Sequence, residues 1–235
     1  MQPLVSPGAG PIPGVPSQQP TNLFRYGEIS LYSTHGFPAG TALANSQNRI
    51  FTTPLGAQGQ GYTTSLTKTE TNLKEGGRIP SGQAYDVYGV ATQVLGATTL
   101  AGQIEFQNAA FNNESMIRDL QNIVNNGVLS WDFTQTNVDI CPIMLAGAGG
   151  GIFGAVSQNA AGSNGGGMNN GNGGIWMYRK HPVALPGSTT FAVVITFGSR
   201  ASAVAGLIDD DVLDPLSVAI RVVLLGYYKS VVEIG

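Results

Sequence analysis

Charge is what this chain has least of. Charged side chains make up 11% of its 235 residues, against about 25% in an ordinary soluble domain. Eleven are Lys or Arg and fourteen are Asp or Glu, for a formal net charge of −3. Nowhere do Lys and Arg cluster into the patch that phosphate neutralisation requires. Direct, sequence-specific nucleic-acid binding is therefore not expected. A monomer uses surface charge to stay dispersed. A surface this poor in charge suits burial against copies of itself.

Histidine and cysteine are almost missing. Cys141 is the single cysteine, which excludes an intrachain disulfide framework. Two histidines, His35 and His181, cannot build a three-histidine metal site. Arg179 and Lys180 precede His181, and neighbouring cations disfavour its protonated form. Nothing local pairs Cys141 with a histidine for thiol chemistry. A Walker A lysine motif is absent. Gly149, Gly151 and Gly154 match GxGxxG, but no helix opens after them and no acid follows at ribose-binding distance. A carboxylate pair of the glycosidase kind would have to assemble in space, from few acids. No catalytic residue and no cofactor is assigned, and an enzyme is not expected. The first residues lack a basic and an apolar region, so no signal peptide is expected. No run of about 18 strongly apolar residues predicts a membrane-spanning helix.

Turn formers and alternating apolar runs are what the chain does have. It contains 33 glycines. Residues 1–22 hold Pro3, Pro7, Pro11, Pro13, Pro16 and Pro20 and no charged side chain. Prolines at this density cannot supply ladder donors, so this stretch is predicted to be an extended N-terminal arm that orders against a neighbouring subunit. The domain proper is placed at 23–235.

The clearest strand is the last. Leu216, Val218, Ile220, Val222 and Leu224 fall on one face at period 2, and all five are predicted buried. Gly226 is read as a break, with Val231, Val232 and Ile234 resuming the run. Further strands are predicted at 23–34 with a bulge at Gly27, at 63–71, 84–95, 128–133, 138–145, 175–180 and 190–197. In the strand at 84–95, Tyr85, Val87 and Gly89 are placed on one side. Residues 36–61 read as turn-rich around a short apolar island at Ile50 and Phe51. Residues 74–82 and 181–188 read as turns. The count comes to nine or ten strands.

One helix stands out, at 113–126. Met116, Ile117, Leu120, Ile123 and Val124 form an apolar stripe. Asn112 or Asn113 can cap its start, Glu114 suits the positive first turn, and Gly127 suits the C′ position. Such a stripe packs across a sheet or the end of a barrel. Residues 147–174 hold twelve glycines and five asparagines, which reads as a loop. The uncharged tract at 140–156 reads as a loop or sheet edge that could also touch lipid. Asp209, Asp210, Asp211 and Asp214 are weak candidates for Ca²⁺, which takes several oxygen ligands. They do not fit the EF-hand spacing, so no metal site is assigned.

The closing segments IWMYRKHPVALPGSTTFAVVITF and DPLSVAIRVVLLGYY follow the Gly/Asn-rich loop in order. There a strand ends at a proline turn, a Thr-Phe-led strand follows, and a final strand alternates into a glycine. This order resembles the last strands of jelly-roll major capsid proteins of tailless icosahedral viruses, lipid-containing phages among them. The earlier GGRIPSGQAYDVYGVA is similar to a turn-then-strand unit of such proteins. The resemblance covers residues 76–235 as an ordering of elements; the helix and the Gly-rich tract have no fixed place in it. It implies an all-β jelly-roll β-sandwich that self-assembles into capsomers and an icosahedral shell, located in the virion, with no catalytic residues. About ten strands favour one elaborated jelly roll over a compact double one, which would need about sixteen. The expected partners are copies of itself and other capsid proteins. Because the acidic balance disfavours genome wrapping, an internal lipid membrane or other proteins would lie between coat and genome. The alternative is a non-viral β-sandwich, a surface or carbohydrate-binding structural module. It would present Tyr62, Trp131, Trp176 and Tyr178 as an exposed platform.

Overall fold

The computed structural model describes residues 22–62, 64–96, 114–133, 136–147, 157–158, 164–165, 174–178, 180–204 and 216–233. In chain order the strands are β1 (Asn22–Glu28), β2 (Leu31–Pro38), β3 (Gln47–Ile50) and β4 (Gln83–Gly96). The helix α1 (Glu114–Asn126) precedes β5 (Gly127–Phe133) and β6 (Thr136–Pro142), and a 3₁₀ turn spans Ile143–Leu145. A two-residue hairpin, β7 (Ser157–Gln158) and β8 (Asn164–Gly165), stands apart. The last four are β9 (Trp176–Met177), β10 (Val183–Leu185), β11 (Phe191–Phe197) and β12 (Leu216–Glu233).

The main strands form two antiparallel sheets. β12 lies at the middle of the larger one. β1 pairs with its C-terminal half and β2 with its N-terminal half, while β4 runs along its other side. β9 and β10 together line the far edge of β4. The smaller sheet has the order β3–β11–β5–β6. If β1 with β2, and β9 with β10, are each counted as one run, the sandwich has eight runs. Their pairings are nested. The first run meets the last, β3 meets β11, β4 meets β9 and β10, and β5 meets β6.

One core fills the space between the sheets. Val218, Ile220, Val222 and Leu224 face it fully buried, as their alternation predicts; the Leu216 side chain lies outside the described residues. Opposite them stand Phe191, Val193, Ile195 and Phe197 of β11 and Leu129 and Trp131 of β5. Phe37 of β2 meets Phe197 of β11 edge to face, with centroids 5.8 Å apart. Of the helix stripe, Ile123 is buried and Val124 packs against the core. Side chains buried on this scale each contribute roughly 1.5–3 kcal/mol.

Several segments differ from their sequence reading. Residues 23–34 are two strands separated at Ile29 and Ser30, not one strand bulged at Gly27. β2 continues through Gly36, and Ile50 of the apolar island closes strand β3, while buried Phe51 follows just past its end. β12 runs straight through Gly226, and the irregularity falls on β4, where Tyr88 is the extra residue. A Cβ at Gly226 would sit 2.4 Å from the Asp86 carbonyl oxygen, so close packing requires glycine there. The extra residue also reverses the phase of β4: Tyr85, Val87 and Val90 point inward, and Gly89 does not join them.

Residues 63–71 form no strand among those described. The Thr67 amide donates to Glu70 Oε2 at 2.7 Å, and the amides of Glu70 and Thr71 both donate to the Thr67 carbonyl. Local side-chain acceptors offer the backbone an alternative to a ladder. Residues 181–188 contain the short edge strand β10 between Pro182 and Pro186, in keeping with the confinement of proline to sheet edges. The strand at 175–180 shrinks to two residues, and β6 ends at Pro142. Gly127 opens β5 in place of a terminal helix cap.

Candidate functional site

Alternation decides what the larger sheet shows to its surroundings. With Val218 through Leu224 inward, Arg221, Val223, Leu225 and Tyr227 of β12 point outward. Directly opposite residues share a face, so Glu28 of β1 and Asp86 of β4 lie beside Tyr227, and Tyr26 lies beside Lys229. The Tyr88 and Tyr227 rings stand 5.3 Å apart at 43°. The Tyr88 hydroxyl donates to Glu28 Oε1 at 2.5 Å, and this bond to a carboxylate is the main reason its phenol is pushed up to about 12. Lys229 Nζ lies 5.8 Å from the centre of the Tyr26 ring.

Gly89 sits one strand over. A Cβ there would meet Ile175 Cγ2 and Met177 Sδ at 3.0 Å and Leu225 Cδ1 at 3.5 Å. Three apolar side chains therefore close over buried Gly89, where a larger residue would push them aside. Tyr26 is 65% exposed, Tyr227 53%, Met177 45% and Ile175 44%. The result is a strip of tyrosines and aliphatic side chains across one face, bordered by Glu28, Asp86 and Lys229. Single exposed apolar residues are ordinary, but a contiguous patch marks a contact surface. Val138, Met144 and Leu145 form a second exposed apolar group along β6 and the 3₁₀ turn.

The edges are treated unequally. The β2 edge is covered by the segment between β3 and β4. The Tyr32 amide donates to Asn72 Oδ1 at 2.9 Å, and the Asn72 amide donates back to the Tyr32 carbonyl at 3.3 Å. Asn72 Nδ2 also donates to the Ser30 carbonyl, and the Gly36 amide donates to Gln60 O at 3.2 Å. Arg221 ties the same segment to the sheet through the Thr69 carbonyl at 2.5 Å and Gln93 Oε1 at 3.2 Å. An edge paired in this way cannot template another strand. On β6, by contrast, Thr136, Asn137, Val138 and Asp139 are all exposed.

The residues singled out for chemistry do not come together. His35 is buried on β2, edge to face with Phe37 at 4.8 Å, and burial lowers its pKa to about 4 despite an Asn48 hydrogen bond that raises it. It lines a small cleft with Ser33, Thr34, Arg49, Thr52, Thr53 and Gln60. Among the described residues that line this cleft, none is a carboxylate or a thiol. Cys141 is buried in β6, and desolvation pushes its thiol up to about 11, away from the reactive thiolate. His181 is exposed. Among the described residues no group of three or more His, Cys, Asp and Glu could hold a metal, and no helix is long and apolar enough to cross a membrane. Asp209, Asp210, Asp211 and Asp214, the glycines at 149, 151 and 154, and residues 1–21 lie outside the described residues.

The aromatic platform of the alternative reading is not assembled from the four residues expected. Trp131 is 2% exposed. Trp176 and Tyr178 pack against the core, and Tyr62 is half-buried. The outward tyrosines are instead Tyr26, Tyr88 and Tyr227. Tyr227 was legible, because extending the alternation of β12 past Gly226 puts it on the outer face. Tyr88 follows likewise from alternation with inward Tyr85 and Val87, whereas Gly89 does not, since its outward placement depends on the extra residue in β4. Comparison with protein-family models, curated proteins and solved structures finds no match for this chain.

Proposed function

We propose that the two sheets form a single jelly roll and that the chain is the major capsid protein of a tailless icosahedral virus. It would self-assemble into capsomers and a shell, with no catalysis of its own. The nested pairing of eight runs, first with last and inward to fourth with fifth, carries the reading. That pattern is what a long antiparallel hairpin gives when it is rolled into two facing sheets, the jelly-roll arrangement. It also favours one jelly roll over two.

Two further observations support assembly. The outer face of the larger sheet carries a strip of exposed tyrosine and aliphatic side chains, and charged residues are 11% of the chain. Interface cores are depleted of charge and enriched in tyrosine and methionine. The proposed partners are copies of this chain and other capsid proteins. A membrane or other proteins would separate the coat from the genome, because nothing basic is gathered for phosphate.

Sedimentation and electron microscopy of the purified chain test this. Stable capsomers or regular shells are expected; a monomer at every concentration would overturn the reading. The alternative, a non-viral surface or carbohydrate-binding module, is favoured by one observation, the outward Tyr88–Tyr227 pair. Glycan binding by a persistent monomer would move the conclusion to it.

A further inference from the structure

We infer that the tyrosine strip on the larger sheet is the docking site for the proline-rich N-terminal segment, residues 1–21, of a neighbouring copy. This rests on the assembly reading above and assigns the strip its occupant.

The surface has the chemistry for such a ligand. Polyproline-type segments dock on aromatic-lined apolar grooves, because a proline ring packs flat against an aromatic one and the segment gives up little freedom on binding. Tyr88 and Tyr227 present two tilted rings, and beside them Ile175, Met177 and Leu225 pack over Gly89 as an apolar surface. None of these side chains is charged; Glu28 and Asp86, which flank Tyr227, are exposed and stay in water at the rim of the contact. The segment has no charged side chain, so it brings no ion of its own out of water. Pro13 and Pro16 are three residues apart. At three residues per turn, they would fall on one edge of a polyproline helix and address the strip together.

Chain direction points to a neighbour. The segment joins β1 at Asn22, which lies opposite Glu233, and β1 then runs toward Glu28, opposite Tyr227. Residues 1–21 therefore enter the sheet at the end of β1 remote from the Tyr88–Tyr227 pair. To reach its own strip the segment would have to reverse completely. Extended at about 3.1 Å per residue it spans roughly 65 Å, enough to cross onto an adjacent subunit without reversal.

The test uses the full chain with Tyr227→p-benzoylphenylalanine, irradiated after assembly, digested and read by mass spectrometry. Covalent dimers and larger species joined through residues 1–21 are expected. Their yield should fall about tenfold when Pro13→Ala and Pro16→Ala are added, the scale set by losing one or two well-packed contacts. Assembled chains whose cross-links land elsewhere, or only within one chain, overturn this proposal while leaving the assembly reading intact. Chains that sediment as monomers overturn both.

Discussion

The indole Nε1–H of Trp131 donates to the Tyr178 hydroxyl at 2.7 Å, and this bond joins the two sheets through their interior. Trp131 belongs to β5 of the smaller sheet. Tyr178 follows β9, and its amide donates to the Tyr88 carbonyl of β4 at 2.8 Å. The core face of one sheet is thus linked to the backbone beneath the outer tyrosines of the other. Tyr178→Phe removes the acceptor and leaves a buried indole N–H unpaired. A loss of about 1–3 kcal/mol is expected in urea unfolding, with a shift in tryptophan fluorescence.

Ile220 sits in the N-terminal half of β12 with neighbours on both sides, His35 of β2 and Val94 of β4. It is completely buried. Ile220→Ala should cost about 2–5 kcal/mol through lost contacts and a residual cavity. Ile220→Asp should give no folded chain, because its charge would be buried without a partner. Circular dichroism and urea unfolding check both; a normally folded Ile220→Asp chain would refute the placement of β12.

Gly61 and Gly82 separate two reasons for a glycine. Both have left-handed backbones, with φ of 76° and 75°. A Cβ at Gly82 meets nothing within 4 Å, whereas one at Gly61 would lie 1.9 Å from the Gly36 carbonyl oxygen. Gly82→Ala should cost only the backbone strain, about 1–2 kcal/mol. Gly61→Ala should cost more than about 3 kcal/mol and push the covering segment off the β2 edge. Hydrogen exchange at the Gly36 amide reads this directly, and light scattering should show the exposed edge as aggregation.

His35 gives the fold a pH dependence. Its folded pKa, about 4, lies below the ordinary 6.5 because burial disfavours the imidazolium. The unfolded chain therefore binds the extra proton first. The His35 contribution is fully favourable above pH 6.5 and is lost as pH falls toward 4. Between pH 7.5 and 4.5 the loss is about 2 kcal/mol. Urea midpoints across this range should fall more steeply for the natural chain than for His35→Gln. Equal slopes would contradict a neutral buried histidine.

How much of this was legible in the sequence varied by segment, for physical reasons. β11 and β12 are long runs of alternating or continuous apolar residues, and their burial followed from that pattern alone. The helix was legible because a 3.6-residue stripe has no competing period. At 63–71 an alternating Thr pattern promised a strand, but the Thr67 and Glu70 side chains satisfy the local backbone and the segment serves as a cover. β10 was hidden by its flanking prolines, which look like turn signals yet suit an edge strand. The outer strip was half legible: Tyr227 follows from periodicity, while Ile175, Met177 and Gly89 are brought together only by pairing between β9 and β4.

The central place of β12 also bears on how the protein is made. β1 and β2 leave the ribosome before the other described strands, yet the strand they pair with comes after all the others described. At ordinary elongation rates they wait on the order of ten seconds or more with no sheet to join. β4, the other neighbour of β12, waits as well. The larger sheet therefore cannot form progressively during translation, and closes only after β12 has emerged. Until then its apolar strands are open to wrong partners, other nascent chains among them. The yield of this protein should depend on chaperone capacity more than on the stability of its finished fold.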